Sequence, residues 1–128
     1  MIKYSGISNH IYYESGKAKT VCTSTVLGHL GISPGSYRYS GEEDQILAIL
    51  RRHGYAVRSR MSRLEDSPSV GRSRTKIQRM RDPLGTMYLV IVKGHALLLN
   101  QEGRTVVDTD PRLRDSREIL SIYAVFRR

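Results

Sequence analysis

A histidine and an aspartate are spaced so that a β-hairpin would bring them together. Two short apolar segments, His95–Leu99 and Arg104–Asp108, flank a four-residue loop rich in turn residues, a pattern typical of paired antiparallel strands. If the two residues that flank the loop pair with each other, His95 lies opposite Asp108, with Cβ atoms roughly 4.5–5.5 Å apart. A general base and its orienting carboxylate need this geometry. The alternative is a surface His–Asp pair without chemistry.

The single cysteine, Cys22, lies at the predicted start of a helix. Thr20 can cap a helix that begins at Val21 or Cys22, and Gly31 can end it. The unpaired N–H groups and the dipole of a first helical turn stabilise a thiolate, which favours a reactive thiol. The alternative is a small buried hydrophobic residue. One cysteine also excludes an internal disulfide.

The strands that must position these residues are marked by apolar runs. Thr86–Val92 is rich in β-branched residues and is stopped by Gly94, which predicts a buried strand. Ile119–Phe126 predicts a last strand, and Tyr55–Met61 predicts an exposed or edge strand. Between these segments we expect irregular structure, at Glu14–Lys19, Ser33–Ser36, Ser62–Pro68, Asp82–Gly85 and Pro111–Glu118.

Two further helices are predicted by capping and periodicity. Ser40–Glu43 matches a capping box and opens an apolar helix that Gly54 ends. Ser69–Arg81 has apolar residues at roughly helical spacing between Arg and Lys, although Gly71 weakens a helix. Helices followed by an antiparallel sheet predict an α+β fold, and the 128 residues predict one domain, 1–128.

The positive charge is concentrated in one part of the chain. The net charge is +9, and residues 51–81 hold ten Arg or Lys and two acids, a net charge of +8. Such a block indicates a polyanionic partner, namely nucleic acid, an anionic surface or an acidic protein. The alternative is a solvated basic face. The candidate polyanion-binding residues are Arg58, Arg60, Arg72, Arg74, Lys76, Arg79 and Arg81.

Several classes of protein are disfavoured by the composition. No apolar run approaches the roughly 18 residues of a membrane span, and the N-terminal segment lacks an apolar signal sequence. No Cys, His or Asp cluster has the spacing of metal ligands, so we expect no metal and no cofactor.

Three local strings, Val21–Gly31, Tyr88–Ala96 and Gly103–Pro111, together resemble the papain-like cysteine peptidase superfamily. The order is a cysteine at a helix start, a histidine that opens a strand, and an aspartate at the end of the next strand. The similarity is greatest to the bacteriocin-processing peptidase domains and to short phage-encoded proteins of this fold. Residues 55–85 match least.

The resemblance implies a papain-like fold, with a nucleophile-bearing N-terminal helix packed against an antiparallel sheet. It implies Cys22 as nucleophile, His95 as general base and then acid, and Asp108 as the orienting acid. Asp110 is the alternative, since a shift of the hairpin by one pair would exchange the two acids. The implied activity is that of a peptidase or amidase acting on a peptide or protein, in a cytoplasmic or virion-associated protein.

One departure from the family pattern concerns the oxyanion. The family usually places a glutamine or another side-chain donor shortly before the cysteine, whereas here this loop has no Gln or Asn. The remaining candidates are Ser15, Lys17, Lys19 and Thr20. Loss of one such donor can cost roughly 100–1,000-fold in rate. The sequence therefore leaves open a degenerate, non-catalytic protein that uses its basic face to hold nucleic acid or another virion component.

Overall fold

The computed structural model describes residues 12–14, 17–19, 22–33, 43–64, 68–109 and 115–128. Over these ranges the chain has an α+β fold of three α-helices, a five-stranded antiparallel sheet and a separate two-stranded hairpin. The predicted α+β class and the antiparallel sheet are confirmed. None of the helices in these ranges has the length and apolar character required to cross a membrane.

The helices are α1 (Cys22–His29), α2 (Glu43–Arg52) and α3 (Val70–Gln78), and a short 3-10 turn covers Met61–Arg63. The strands are β1 (Tyr12–Glu14), β2 (Lys17–Lys19), β3 (Tyr55–Ser59), β4 (Met87–Val92), β5 (His95–Leu99), β6 (Thr105–Val107) and β7 (Ile119–Arg127). The large sheet has the order β3-β7-β4-β5-β6, so β3 is an edge strand as predicted. The expected Glu14–Lys19 loop is partly wrong, because β2 pairs with β1.

The strand β4 is buried on both faces of the sheet. Leu89 and Ile91 point into a core that α1 and α2 cover, whereas Tyr88 and Val90 point into a second core that α3 covers. Burying one such aliphatic side chain stabilises the fold by about 1.5–3 kcal/mol. Helices on both faces therefore explain why the sequence of this strand is continuously apolar.

Helix α1 begins at Cys22 and is closed by a glycine, as predicted. Gly31 has a φ of +82°, and its N–H donates to Gly28 O at 3.0 Å. The N–H of Ile32 donates to Leu27 O at 2.9 Å, which completes a Schellman motif. Leu27 and Ile32 both lie in the core, so the end of α1 is fixed on the sheet.

Helix α2 is buried along one side and is tied to the sheet at its start. Ile46 and Leu50 are fully buried, and Gly54 follows the helix with a φ of +92°. The proposed cap, Ser40, lies outside the described residues. The carboxylate of Glu43 accepts a hydrogen bond from the hydroxyl of Tyr123 on β7. Burial and this hydrogen bond raise the pKa of Tyr123 to about 12.

Helix α3 is the predicted basic amphipathic helix. The hydroxyl of Ser69 accepts a hydrogen bond from Arg72 N at 3.1 Å, which caps the helix start. Val70 and Ile77 are buried against the sheet. A Cβ at Gly71 would lie 3.2 Å from Asp115 Cβ, so a close approach explains a glycine inside the helix.

Candidate functional site

The hairpin that carries the site has a different register from the predicted one. Leu99 was expected to pair with Arg104, but it pairs with Thr105, and Leu98 pairs with Val107. A β-bulge between these two pairs adds one residue to the second strand. The register prediction is therefore wrong by one residue beside the loop and by two beyond the bulge.

A glycine in the left-handed conformation explains the shift. Asn100 N donates to Arg104 O at 2.9 Å, and Gly103 N donates to Asn100 O at 3.0 Å. The loop therefore has three residues rather than four. Gly103 closes it with a φ of +77°, as in hairpins with a bulged turn. The Asn100 side chain accepts hydrogen bonds from two further backbone N–H groups of the loop.

The expected pair of His95 and Asp108 is nevertheless present. His95 Nε2 lies 2.8 Å from Asp108 Oδ1, and their side chains are 7% and 2% exposed. A two-residue shift alone would bring residue 110 opposite His95. Asp108 remains the partner because β6 ends at Val107 and the Asp108 side chain reaches back diagonally. Since a carboxylate only accepts, Nε2 carries the hydrogen.

Arg117 completes this buried cluster. Its Nη2 donates to Asp108 Oδ2 at 2.8 Å, so both oxygens of the carboxylate are held, each by a different residue. Arg117 is positioned by the backbone, because its carbonyl accepts the N–H of Val70 at the start of α3. We refer to His95, Asp108 and Arg117 as the buried triad. Nothing in the sequence distinguishes Arg117 from the other arginines of its segment.

The helix α1 packs against β5, which begins with His95, and against β6, which ends just before Asp108. Cys22 is its first residue, so the thiol belongs to the first turn of a helix on this part of the sheet. Its side chain lies outside the described part of the structure.

Strand alternation places α1 and His95 on opposite faces of the sheet. Ala96 and Leu98 face the core under α1, whereas Leu97 and Leu99 face the core under α3. His95 has the parity of the second pair. His95 is also the first residue of β5, so it lies at the rim of the sheet. A contact between its imidazole and the first turn of α1 would therefore have to be made around this rim.

Other predicted site residues are only partly placed. Asp110, Ser15 and Thr20 lie outside the described residues. Lys17 and Lys19 belong to β2, and their side chains are outside the description. Within the described ranges, no three His, Cys, Asp or Glu side chains are grouped as a metal site would require.

Two of the predicted polyanion-binding residues have structural roles. Arg60 forms a salt bridge with Asp82 at 2.6 Å, and its side chain is 15% exposed. Arg74 pairs with Asp115 at 3.0 Å and also donates to Gly103 O at 2.9 Å. The predicted residues with exposed side chains are Arg58, Arg72, Arg79 and Arg81.

The comparisons with known proteins leave the chain unassigned to a family. No protein-family model, no curated protein and no solved structure matches it.

Proposed function

We propose that this protein is a papain-like cysteine hydrolase that cleaves amide bonds, with Cys22 as nucleophile, His95 as general base and Asp108 as orienting acid. The observation that carries the proposal is the buried hydrogen bond between His95 and Asp108. Burial of a polar pair costs free energy unless its hydrogen bonds are made, and this pair fixes one imidazole at the end of the strand that α1 covers.

The triad determines which ring nitrogen of His95 would exchange a proton with the thiol of Cys22. Asp108 accepts the hydrogen of His95 Nε2, so proton exchange with Cys22 runs through Nδ1. Arg117 holds the second oxygen of Asp108, which prevents rotation of the carboxylate and keeps the imidazole in one orientation. This is the role of the third member of a catalytic triad.

The proposed reaction has two steps. The imidazole accepts the thiol proton at Nδ1, and the thiolate forms a C–S bond with the acyl carbon of the substrate. As the C–N bond breaks, the imidazolium returns this proton to the leaving amine. Water then attacks the thioester, with the imidazole as base, and the acid product leaves as the thiol is regenerated.

A second candidate function is favoured by the strand alternation described above. If His95 stays on the α3 face, the buried triad is a structural brace and Cys22 is not activated. The protein is then a catalytically degenerate, papain-like binding protein that uses its basic residues to hold nucleic acid or another virion component.

Alkylation of the thiol separates the two candidates. Because Cys22 is the only cysteine, the rate of reaction with iodoacetamide reports on it alone. The pH at which the alkylation rate reaches half its maximum is the midpoint of alkylation. For the hydrolase we expect this midpoint well below the pKa of about 8.5 of an ordinary thiol. His95→Ala should return the midpoint to this ordinary value.

The matched control is His29→Ala, which removes an exposed histidine from α1 itself. It should leave the midpoint of alkylation unchanged. An ordinary midpoint in the wild-type protein, unaffected by His95→Ala, would contradict the hydrolase and support the binding protein.

A further inference from the structure

In the described part of the chain, four side chains line a groove on the α3 side of the sheet. Arg63 belongs to the 3-10 turn, Lys76 lies in the last turn of α3, and Arg79 and Met80 follow that helix. The last turn of α3 is tightened by a hydrogen bond from Arg79 N to Lys76 O at 3.0 Å. Ile77, fully buried on the opposite side of the helix, holds this turn on the sheet.

The two arginines of the groove are not paired with described residues. Arg63 and Arg79 are exposed and form no ion pair or hydrogen bond with a described side chain. Asp82 interacts electrostatically with Arg63, but its oxygens accept hydrogen bonds from Arg60 and Tyr88. The groove therefore has two arginines without a described ion-pair partner, and Lys76 lies beside them.

The cations continue along α3 as a regular row. Arg72, Lys76 and Arg79 are spaced i, i+4 and i+7, so they follow one side of the helix over about 10 Å. Arg58 lies on the same side of the sheet, because its strand neighbour Val57 points into the core under α1 and α2. Positive charge thus extends from the groove in two directions.

We infer that this groove binds the sugar–phosphate backbone of double-helical nucleic acid. A ligand with regularly repeated negative charges matches a row of cations, and Arg and Lys are the residues that contact phosphates. The helix C-terminus contributes about half a negative charge, which the two arginines outweigh. The described residues that line the groove include no aromatic side chain, so stacking on unpaired bases does not contribute and the binding is independent of sequence.

An acidic peptide fits these residues less well. Peptide recognition generally combines charge with pockets for side chains or with a free strand edge. Among its described lining residues, Met80 is the one apolar side chain, and none of them belongs to a strand. The inference deepens the second candidate function, but the groove and the buried triad share no residue, so it holds whether or not Cys22 is catalytic.

The test measures binding of the full chain to a fluorescent random-sequence DNA duplex at several salt concentrations. We expect binding that weakens steeply between about 50 mM and about 200 mM salt. Arg63→Gln/Arg79→Gln should weaken binding at low salt at least about tenfold and reduce the slope of log K against log salt by about 2, since each lost phosphate contact removes about 0.9.

The matched control is Arg51→Gln/Arg52→Gln, which removes the same charge from exposed positions at the end of α2, on the other side of the sheet. It should change binding less than about threefold and leave the salt slope nearly unchanged. Equal losses in the two double variants, no binding at low salt, or equally effective displacement of the duplex by polyglutamate would each overturn the inference. Alkylation of Cys22 provides a separate readout, so failure here is distinguishable from failure of the hydrolase.

Discussion

Asp108 is the residue on which the proposed site depends. Its side chain is almost fully buried, and its two oxygens contact His95 and Arg117 at 2.8 Å each. Removing one partner from a buried ionic cluster costs more than removing an exposed charge, because the remaining charge cannot return to water. The cluster is therefore a determinant of stability as well as a candidate for chemistry.

The substitution Arg117→Met tests whether the buried triad stabilises the protein. It keeps the aliphatic volume and leaves one oxygen of Asp108 without its guanidinium, so we expect a loss of about 3 kcal/mol in the free energy of unfolding. Urea denaturation measures it. Arg72→Met, at an exposed position of α3, should change stability by less than about 0.5 kcal/mol. Similar losses in the two variants would contradict a structural role for Arg117.

Asp82 is a second buried carboxylate, with its side chain 1% exposed. Burial alone would raise its pKa, but hydrogen bonds from Arg60 and Tyr88 outweigh burial and hold the pKa below its ordinary value. Burial and the hydrogen bond to Asp82 raise the pKa of Tyr88 well above its usual range. The carboxylate links the end of β3 to the turn that enters β4.

Asp82→Asn should destabilise the protein at neutral pH by roughly 2–3 kcal/mol, because the amide cannot balance Arg60. A lowered folded pKa stabilises the protein above the unfolded value of about 3.9, and this contribution is lost as pH falls through the folded pKa. The difference between wild type and variant should therefore shrink below about pH 4 in urea titrations.

The control for this prediction is Asp115→Asn, which breaks an ion pair whose carboxylate is 53% exposed. It should cost less than about 1 kcal/mol. A difference between wild type and Asp82→Asn that stays constant from neutral to acidic pH would show that the carboxylate contributes through its shape alone.

Among the secondary-structure elements, the β5–β6 hairpin matters most to the site. Its turn depends on Gly103, whose φ is +77° and whose added Cβ would lie 2.4 Å from Arg74 O in α3. We expect Gly103→Ala to destabilise the protein by more than about 2 kcal/mol, because strain and a backbone clash act together. The hairpin should move away from α3, which weakens the hydrogen bond between His95 and Asp108.

Gly28→Ala is the matched control in a helix. Gly28 is exposed, and an added Cβ there meets nothing within 4 Å. We expect this variant to gain about 0.5–1 kcal/mol, because alanine is the better helix former. Unfolding transitions of the two variants should therefore shift in opposite directions. Stabilisation by Gly103→Ala would contradict the structure of the turn.

Local sequence signals predicted the elements but not their fine register. The apolar run of β4, the helical spacing of α3 and the glycine after α1 each act within a few residues, and each is confirmed. The hairpin register failed because Asn100–Gly103 fits a four-residue loop as well as it fits a three-residue loop with a bulge. The choice depends on contacts with α3, including Arg74 with Gly103 O, which are distant in sequence.

At the scale of the whole molecule, the sheet separates two helical layers. One layer holds α1 and α2, and the other holds α3 with the groove. The pairing of His95 with Asp108 was predictable because both residues lie on one hairpin. The contact of Arg117 with Asp108 was not predictable, because the place of Arg117 depends on where the chain returns to β7. The sequence alone also does not give the face of the sheet on which His95 lies.

The distance between Cys22 Sγ and His95 Nδ1 in a crystal structure of the reduced protein tests the hydrolase most directly. We predict a separation within about 4 Å, with His95 Nε2 still bonded to Asp108 and Nδ1 directed past the rim of the sheet toward the first turn of α1. A separation beyond about 7 Å, too long even for one bridging water, with the imidazole on the α3 face, would contradict the catalytic assignment.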